Sequence, residues 1–176
     1  MTQQARTEIL DSIQHFALPR YEEIPNVGLY LEQTSKYISE YLSCLEDCAL
    51  TGSMISNYVK KGLISNPVKK QYNREQIAYL IFIAVAKSVL SMEDIRLLIR
   101  LQQGAYEPQK AYEYFRMELE NVLLFVFGLK ETLDTVGHDR THAKNMLRTV
   151  IIAAAHKAYL DKYFAALRDD IDKQVD

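Results

Sequence analysis

Five basic side chains, Lys60, Lys61, Lys69, Lys70 and Arg74, fall between residues 49 and 74, a stretch without a single acid. The preceding residues 1 to 48 carry eight acids against three bases, so the charge is strongly uneven although the net charge of the chain is only −2. A local cluster of this kind attracts phosphate, and each lysine that neutralises one strengthens binding without selecting sequence. Between the bases stand groups able to read or grip a nucleic acid. Asn57 has the bidentate geometry that suits adenine, while Ser53 and Ser56 exchange hydrogen bonds with bases or phosphates. The phenols of Tyr58 and Tyr72 are candidate donors to phosphate from the rim. With Met54, which lies among them, the candidate DNA-binding residues are Ser53, Met54, Ser56, Asn57, Tyr58, Lys60, Lys61, Lys69, Lys70, Tyr72 and Arg74.

Helices must position these groups. Gly and Pro are scarce and no long stretch alternates as a strand does, which points to an all-α chain. The spacing predicts an amphipathic helix over 7–16 with Leu10 and Ile13 inward, an extended connector through Pro19 and Pro25, and a helix over 29–45. A helix capped by Thr51 or Ser53 should run to Lys61 and stop at Gly62, where two lysines suit its negative end. Residues 63–71, with Pro67, read as a loop or small hairpin. Asn73 then caps a helix that is apolar almost all round, and Ser91 with Asp94 caps a fourth that ends near Leu101. Pro108 opens a fifth helix, which Gly128 interrupts or bends. A last helix over about 139–171 turns Leu147, Val150, Ile151, Ala154, Ala158 and Leu167 inward.

Read as one string, Thr51 to Ile64, then Lys69 to Ile77, then Leu90 to Ile95, this region resembles the MerR-type winged helix-turn-helix. Tyr58 stands four residues before the Gly62-Leu63-Ile64 stop. Lys69, Lys70 and Tyr72 match a basic wing closed by a tyrosine, ahead of Asn73 and Glu75 at the next helix start. Ser91-Met92-Glu93-Asp94-Ile95 matches the box that opens the family's fourth helix. The resemblance departs from the family in a longer helix before Thr51 and in a short wing without arginine. The Leu18-Pro19-Arg20-Tyr21 entry also looks like an uncharacterised bacterial family of helical proteins known only as a domain of unknown function. These resemblances imply a DNA-binding transcriptional regulator that takes double-stranded DNA as its partner. The expected division is an N-terminal helix and connector over 1–28, a winged helix-turn-helix over 29–101, and a helical oligomerising or sensing extension over 102–176. The long apolar faces of the last helices lead us to expect a homodimer.

Other chemistry has less support. His138 and His142 have the spacing of a metal half-site, yet no third ligand is evident, and no metal or other cofactor is expected. Tyr106, Tyr112, Tyr114, Phe115, Phe125 and Phe127 could line a pocket for an unknown small-molecule effector, although helical spacing also suits core packing. Cys44 and Cys48, four apart on the expected helix, make poor disulfide geometry. No phosphate loop, nucleophile elbow or cysteine–histidine pairing appears, so an enzyme is not expected. The longest apolar run, Ile77 to Ala86, is half of the roughly 20 residues that a membrane span needs. A cytoplasmic protein with no membrane contact is therefore expected. The alternative to DNA binding is a helical protein-interaction module that keeps the scaffold alone.

Overall fold

A computed structural model describes residues 2–175, and the side chains of 2–172. Among these residues seven α-helices and one two-stranded sheet form the fold: α1 (Gln3–Gln14), β1 (Leu29–Tyr30), α2 (Leu31–Tyr41), α3 (Gly52–Lys60), β2 (Gln71–Tyr72), α4 (Arg74–Ala86), α5 (Met92–Gln103), α6 (Pro108–Val126) and α7 (His142–Val175). Several helix starts have a local chemical cause. Thr51 accepts from the Met54 amide, Asn73 exchanges hydrogen bonds with Gln76 in a capping box, and Ser91 accepts from the Asp94 amide. Pro108 occupies the first turn of α6, where its missing N–H costs nothing.

The centre is α4, buried from Gln76 through Ala86 except at Tyr79, with α2, α6 and α7 packed around it and α5 packed against α7. Its all-round apolar composition is explained by this position. The connector before β1 is strapped across α6. Leu18 N–H donates to Glu120 at 2.9 Å, Tyr21 N–H to Glu113 at 2.6 Å, and the Tyr112 hydroxyl to the Pro19 carbonyl at 2.9 Å. Leu18 and Ile24 fall into the core between these tethers.

Several expectations need correction. The first helix begins at Gln3 and buries Ile9 and Ile13, leaving Leu10 half-buried. The helix expected over 29–45 is shorter, because Leu29 and Tyr30 pair antiparallel with Tyr72 and Gln71 before α2 starts, and α2 ends at Tyr41. Cys44 and Cys48 therefore do not share a helix: Cys44 follows α2 and Cys48 closes a 3-10 turn, Glu46–Cys48, and both are free thiols. Gly128, at φ +72°, ends α6 rather than bending it. Leu167 is 39 % exposed, since α7 runs on past the elements that cover its first half. The aromatic residues from 106 to 127 do not form one cluster: Tyr112, Phe115 and Phe127 are core, Phe125 faces outward, and Tyr106 and Tyr114 lie on the far flank of α6.

Candidate nucleic-acid interface

The site is built on α3, a helix of nine residues. Its first residue, Gly52, packs against the start of α2 so closely that a Cβ there would lie 2.8 Å from Glu32 Oε1 and 3.3 Å from Leu31 Cγ. A larger residue there would have to turn the Glu32 side chain aside and shift Leu31 by a few tenths of an ångström. The helix ends in a full Schellman motif: Leu63 N–H reaches the Tyr58 carbonyl at 2.9 Å, Gly62 N–H reaches Val59 at 2.9 Å, and Gly62 holds φ +69°. Between these ends Ile55 and Tyr58 are buried, with Met54 and Val59 packed against the same core. The opposite face carries Ser53, Ser56, Asn57 and Lys60, at the spacing of one helical stripe about 10 Å long.

Cations flank both ends of this stripe. At the C-terminal end Lys60 and Lys61 are exposed, and the guanidinium of Arg96 on α5 donates to the Lys61 carbonyl. Arg100 stands one turn further along α5 and is exposed. Arg96 and Arg100 line a polar cleft of about 500 Å³ together with Asn66, Asn73 and Gln103. Sequence reasoning missed these two arginines because the basic segment was counted only to residue 74. Their i, i+4 spacing on the helix opened by Ser91 was the available signal.

At the N-terminal end Lys69 and Lys70 form the tip of a tight turn. Gln71 N–H donates to the Val68 carbonyl at 2.9 Å, and the two lysines hold φ +50° and +65°. Two consecutive positive φ values are the pattern of a type I′ turn, normally taken by Asn-Gly, and each costs a residue that bears a Cβ about 1–2 kcal/mol. The turn projects from the end of the ladder where Tyr30 pairs with Gln71 and runs into α2, the same end against which Gly52 packs. Among the described residues no hydrogen bond or ion pair engages the side chains of Ser56, Asn57, Lys60, Lys69 or Lys70.

Three candidates have other surroundings. Tyr58 and Tyr72 are 5 % and 4 % exposed, and burial pushes both phenols above their ordinary range, so their rings belong to the core beneath the stripe. Arg74 is spent inside the chain: Nε donates to the Ile24 carbonyl at 2.8 Å, Nη1 pairs with Glu22 at 2.9 Å, and the guanidinium lies 5.7 Å from the centre of the Tyr21 ring. Arg74 therefore anchors the connector instead of facing a phosphate. Glu32, exposed beside Gly52, is an acid within the same surface.

His138 and His142 are both exposed, and among the described residues no group of three or more His, Cys, Asp or Glu is arranged to hold a metal ion. No helix among them is long and apolar enough to cross a membrane. No curated protein and no solved structure matches the chain. Residues 19–115 match the family described as Domain of unknown function (DUF1836), a range that contains the whole basic surface, from the connector that Arg74 anchors to α5. That match spans more than half of the sequence, and the chain belongs to this family.

Proposed function

We propose that residues 29–101 act as a winged helix-turn-helix of the MerR type, and that the protein is a cytoplasmic transcriptional regulator binding double-stranded DNA. The observation that carries this reading is the polar stripe of α3, lined by Ser53, Ser56 and Asn57 and flanked by lysines, of which Lys60, Lys69 and Lys70 make no hydrogen bond or ion pair among the described residues. A helix of this size enters the major groove, where Asn57 and the serines meet base edges and the flanking lysines meet phosphates on either side. The element order supports the reading: a strand leads into two helices, a short turn and a second strand return alongside the first, and two more helices follow. Lys69 and Lys70 take the place of a wing.

The test is fluorescence anisotropy of a labelled duplex with the wild-type chain and with Lys60, Lys61, Lys69 and Lys70 all changed to Ala, at two salt concentrations. Binding that weakens steeply with salt and is lost in the variant is expected. A second reading, an interaction module without DNA binding, is favoured by the ten-residue link from Leu42 to Thr51, far longer than the three- or four-residue turn usual in such units. Under that reading the folded chain leaves the duplex unbound at both salt concentrations.

A further inference from the structure

The largest unexplained feature outside the basic surface lies on α7. Met146, Ala153, Leu160, Phe164, Leu167 and Ile171 follow one another at intervals of seven, seven, four, three and four. That is the a/d spacing of a coiled-coil seam. All six are exposed, the five large ones by 39 to 60 %. At the N-terminal end the seam widens into an apolar groove of about 270 Å³ between α5 and α7, where Leu97 and Leu101 are 62 % and 36 % exposed beside Met146 and Val150. An apolar strip this long marks an interface.

We propose that a second copy of this chain covers the strip, with the two α7 helices antiparallel and the tail of each filling the α5–α7 groove of the other. Three observations favour a second copy over an unrelated partner. Reversing the helix about a point between Ala158 and Tyr159 sets Met146 against Ile171 of the second copy, Val150 against Leu167 and Ala153 against Phe164, with Lys157, whose ammonium is held by Asp47 and Asp161 of its own subunit, beside Leu160 at the centre. The fit is also complementary in size: the largest knob, Phe164, meets the smallest residue of the seam, Ala153, and the tail of Ile171 and Leu167 meets the groove. Finally, charge along α7 runs against its own dipole. Residues 142–158 of α7 hold Lys144, Arg148 and Lys157 with no acid, while residues 159–175 hold Asp161, Asp169, Asp170 and Asp172 against Lys162, Arg168 and Lys173, a balance of −1. A helix dipole favours the opposite arrangement. Lys144, Arg148 and Lys157 are partly balanced by Asp139, Glu118 and Asp47 within the subunit, but an antiparallel neighbour brings the aspartates of the tail alongside the half of α7 that carries no acid, whereas a parallel one stacks them together.

The proposal does not depend on DNA binding, and its test is made without DNA. Light scattering coupled to size exclusion at micromolar concentration should give twice the chain mass for the full chain. The variants Phe164→Glu, in the tail, and Leu97→Glu, in the groove, both on exposed positions, should each give the monomer mass with wild-type helical circular dichroism. In a Cys44→Ala/Cys48→Ala background that keeps the dimer mass, Ala153→Cys combined with Phe164→Cys should cross-link the dimer on oxidation, and Phe164→Cys alone should not. A monomeric wild type, a dimer that survives Leu97→Glu, or cross-linking through Phe164→Cys alone would each overturn it.

Discussion

Arg74 reaches back across the chain to Glu22, its Nη1 2.9 Å from the carboxylate and its Nη2 3.0 Å from the same residue's carbonyl oxygen. With the bond to the Ile24 carbonyl, one guanidinium holds two points in the middle of the segment that leads into β1. Arg74→Ala should therefore lower stability by about 1–3 kcal/mol, the usual cost of stranding charged hydrogen bonds in a partly buried site. Thermal denaturation checks this, with Lys60→Ala as the control, expected within about 0.5 kcal/mol of wild type. Equal melting temperatures for the two variants would refute the anchoring role.

The turn at Lys69 and Lys70 invites the opposite substitution. Changing the pair to Asn and Gly supplies residues that adopt positive φ readily, and stability should rise by about 1 kcal/mol, or 2–4 °C in melting temperature. If the lysines contact phosphates, the same variant should bind the duplex with a salt dependence shallower by about two in log–log slope. A more stable protein with an unchanged slope would remove this turn from the interface.

Glu118 is wholly buried in α6, with Arg148 Nε 2.8 Å from its carboxylate in an ion pair that lacks hydrogen-bond alignment. Burial pushes the Glu118 carboxyl above its ordinary range, against the opposing pull of Arg148 and Lys144. Arg148→Met removes the principal opposing charge and should cost about 3 kcal/mol at pH 7, the low end for breaking a buried pair because Arg148 itself is one-third exposed. A carboxyl raised in the folded state favours folding below its unfolded value and loses that contribution as pH rises through the folded value. The deficit of Arg148→Met should accordingly shrink when melting is repeated at pH 5. A deficit independent of pH would mean that lost packing, not the stranded carboxylate, is responsible.

Burial pushes the Cys48 thiol up to about 12 and that of Cys44 upward as well. Both should stay protonated, and Cys48 should resist a disulfide reagent at pH 8 until denaturant is added. Because these values are raised, their contribution is complete below the unfolded thiol range near pH 9 and fades above it. The buried phenols of Tyr37, Tyr112 and Tyr114, shifted the same way by burial, add to the trend. Melting temperature should fall steadily from pH 9 to pH 11; a flat profile over that interval would contradict these environments.

Local chemistry made much of the fold legible in advance. Thr51, Asn73, Ser91 and Pro108 open their helices as expected, and Gly62 stops α3, because caps depend on the few residues around them. What escaped was set by contacts far apart in sequence. Pairing of Leu29 with Tyr72 took two residues from the start of α2, and helical periodicity carries no trace of a partner more than forty positions away. The same limit applied to the surface. Exposure of Ser53, Ser56 and Lys60 followed from the stripe, but Arg74 and the two tyrosines, equally suited to phosphate by type, were drawn inward by Glu22 and the core. Leu167 erred the other way: its spacing fits a buried face, and only the length of α7 beyond its neighbours leaves it uncovered.

The strap that ties Pro19 and Tyr21 to Tyr112 and Glu113 has a consequence for how this protein can be varied. The range shared with the family opens at residue 19 and closes at 115, so its two ends are hydrogen-bonded to each other. A unit whose head is fastened close to its tail is held as a closed loop, and α6 carries the chain on beyond the clasp to Val126. Loosening one end of the shared range therefore loosens the other, while α7, packed on α4, α5 and α6, closes the core from outside that loop.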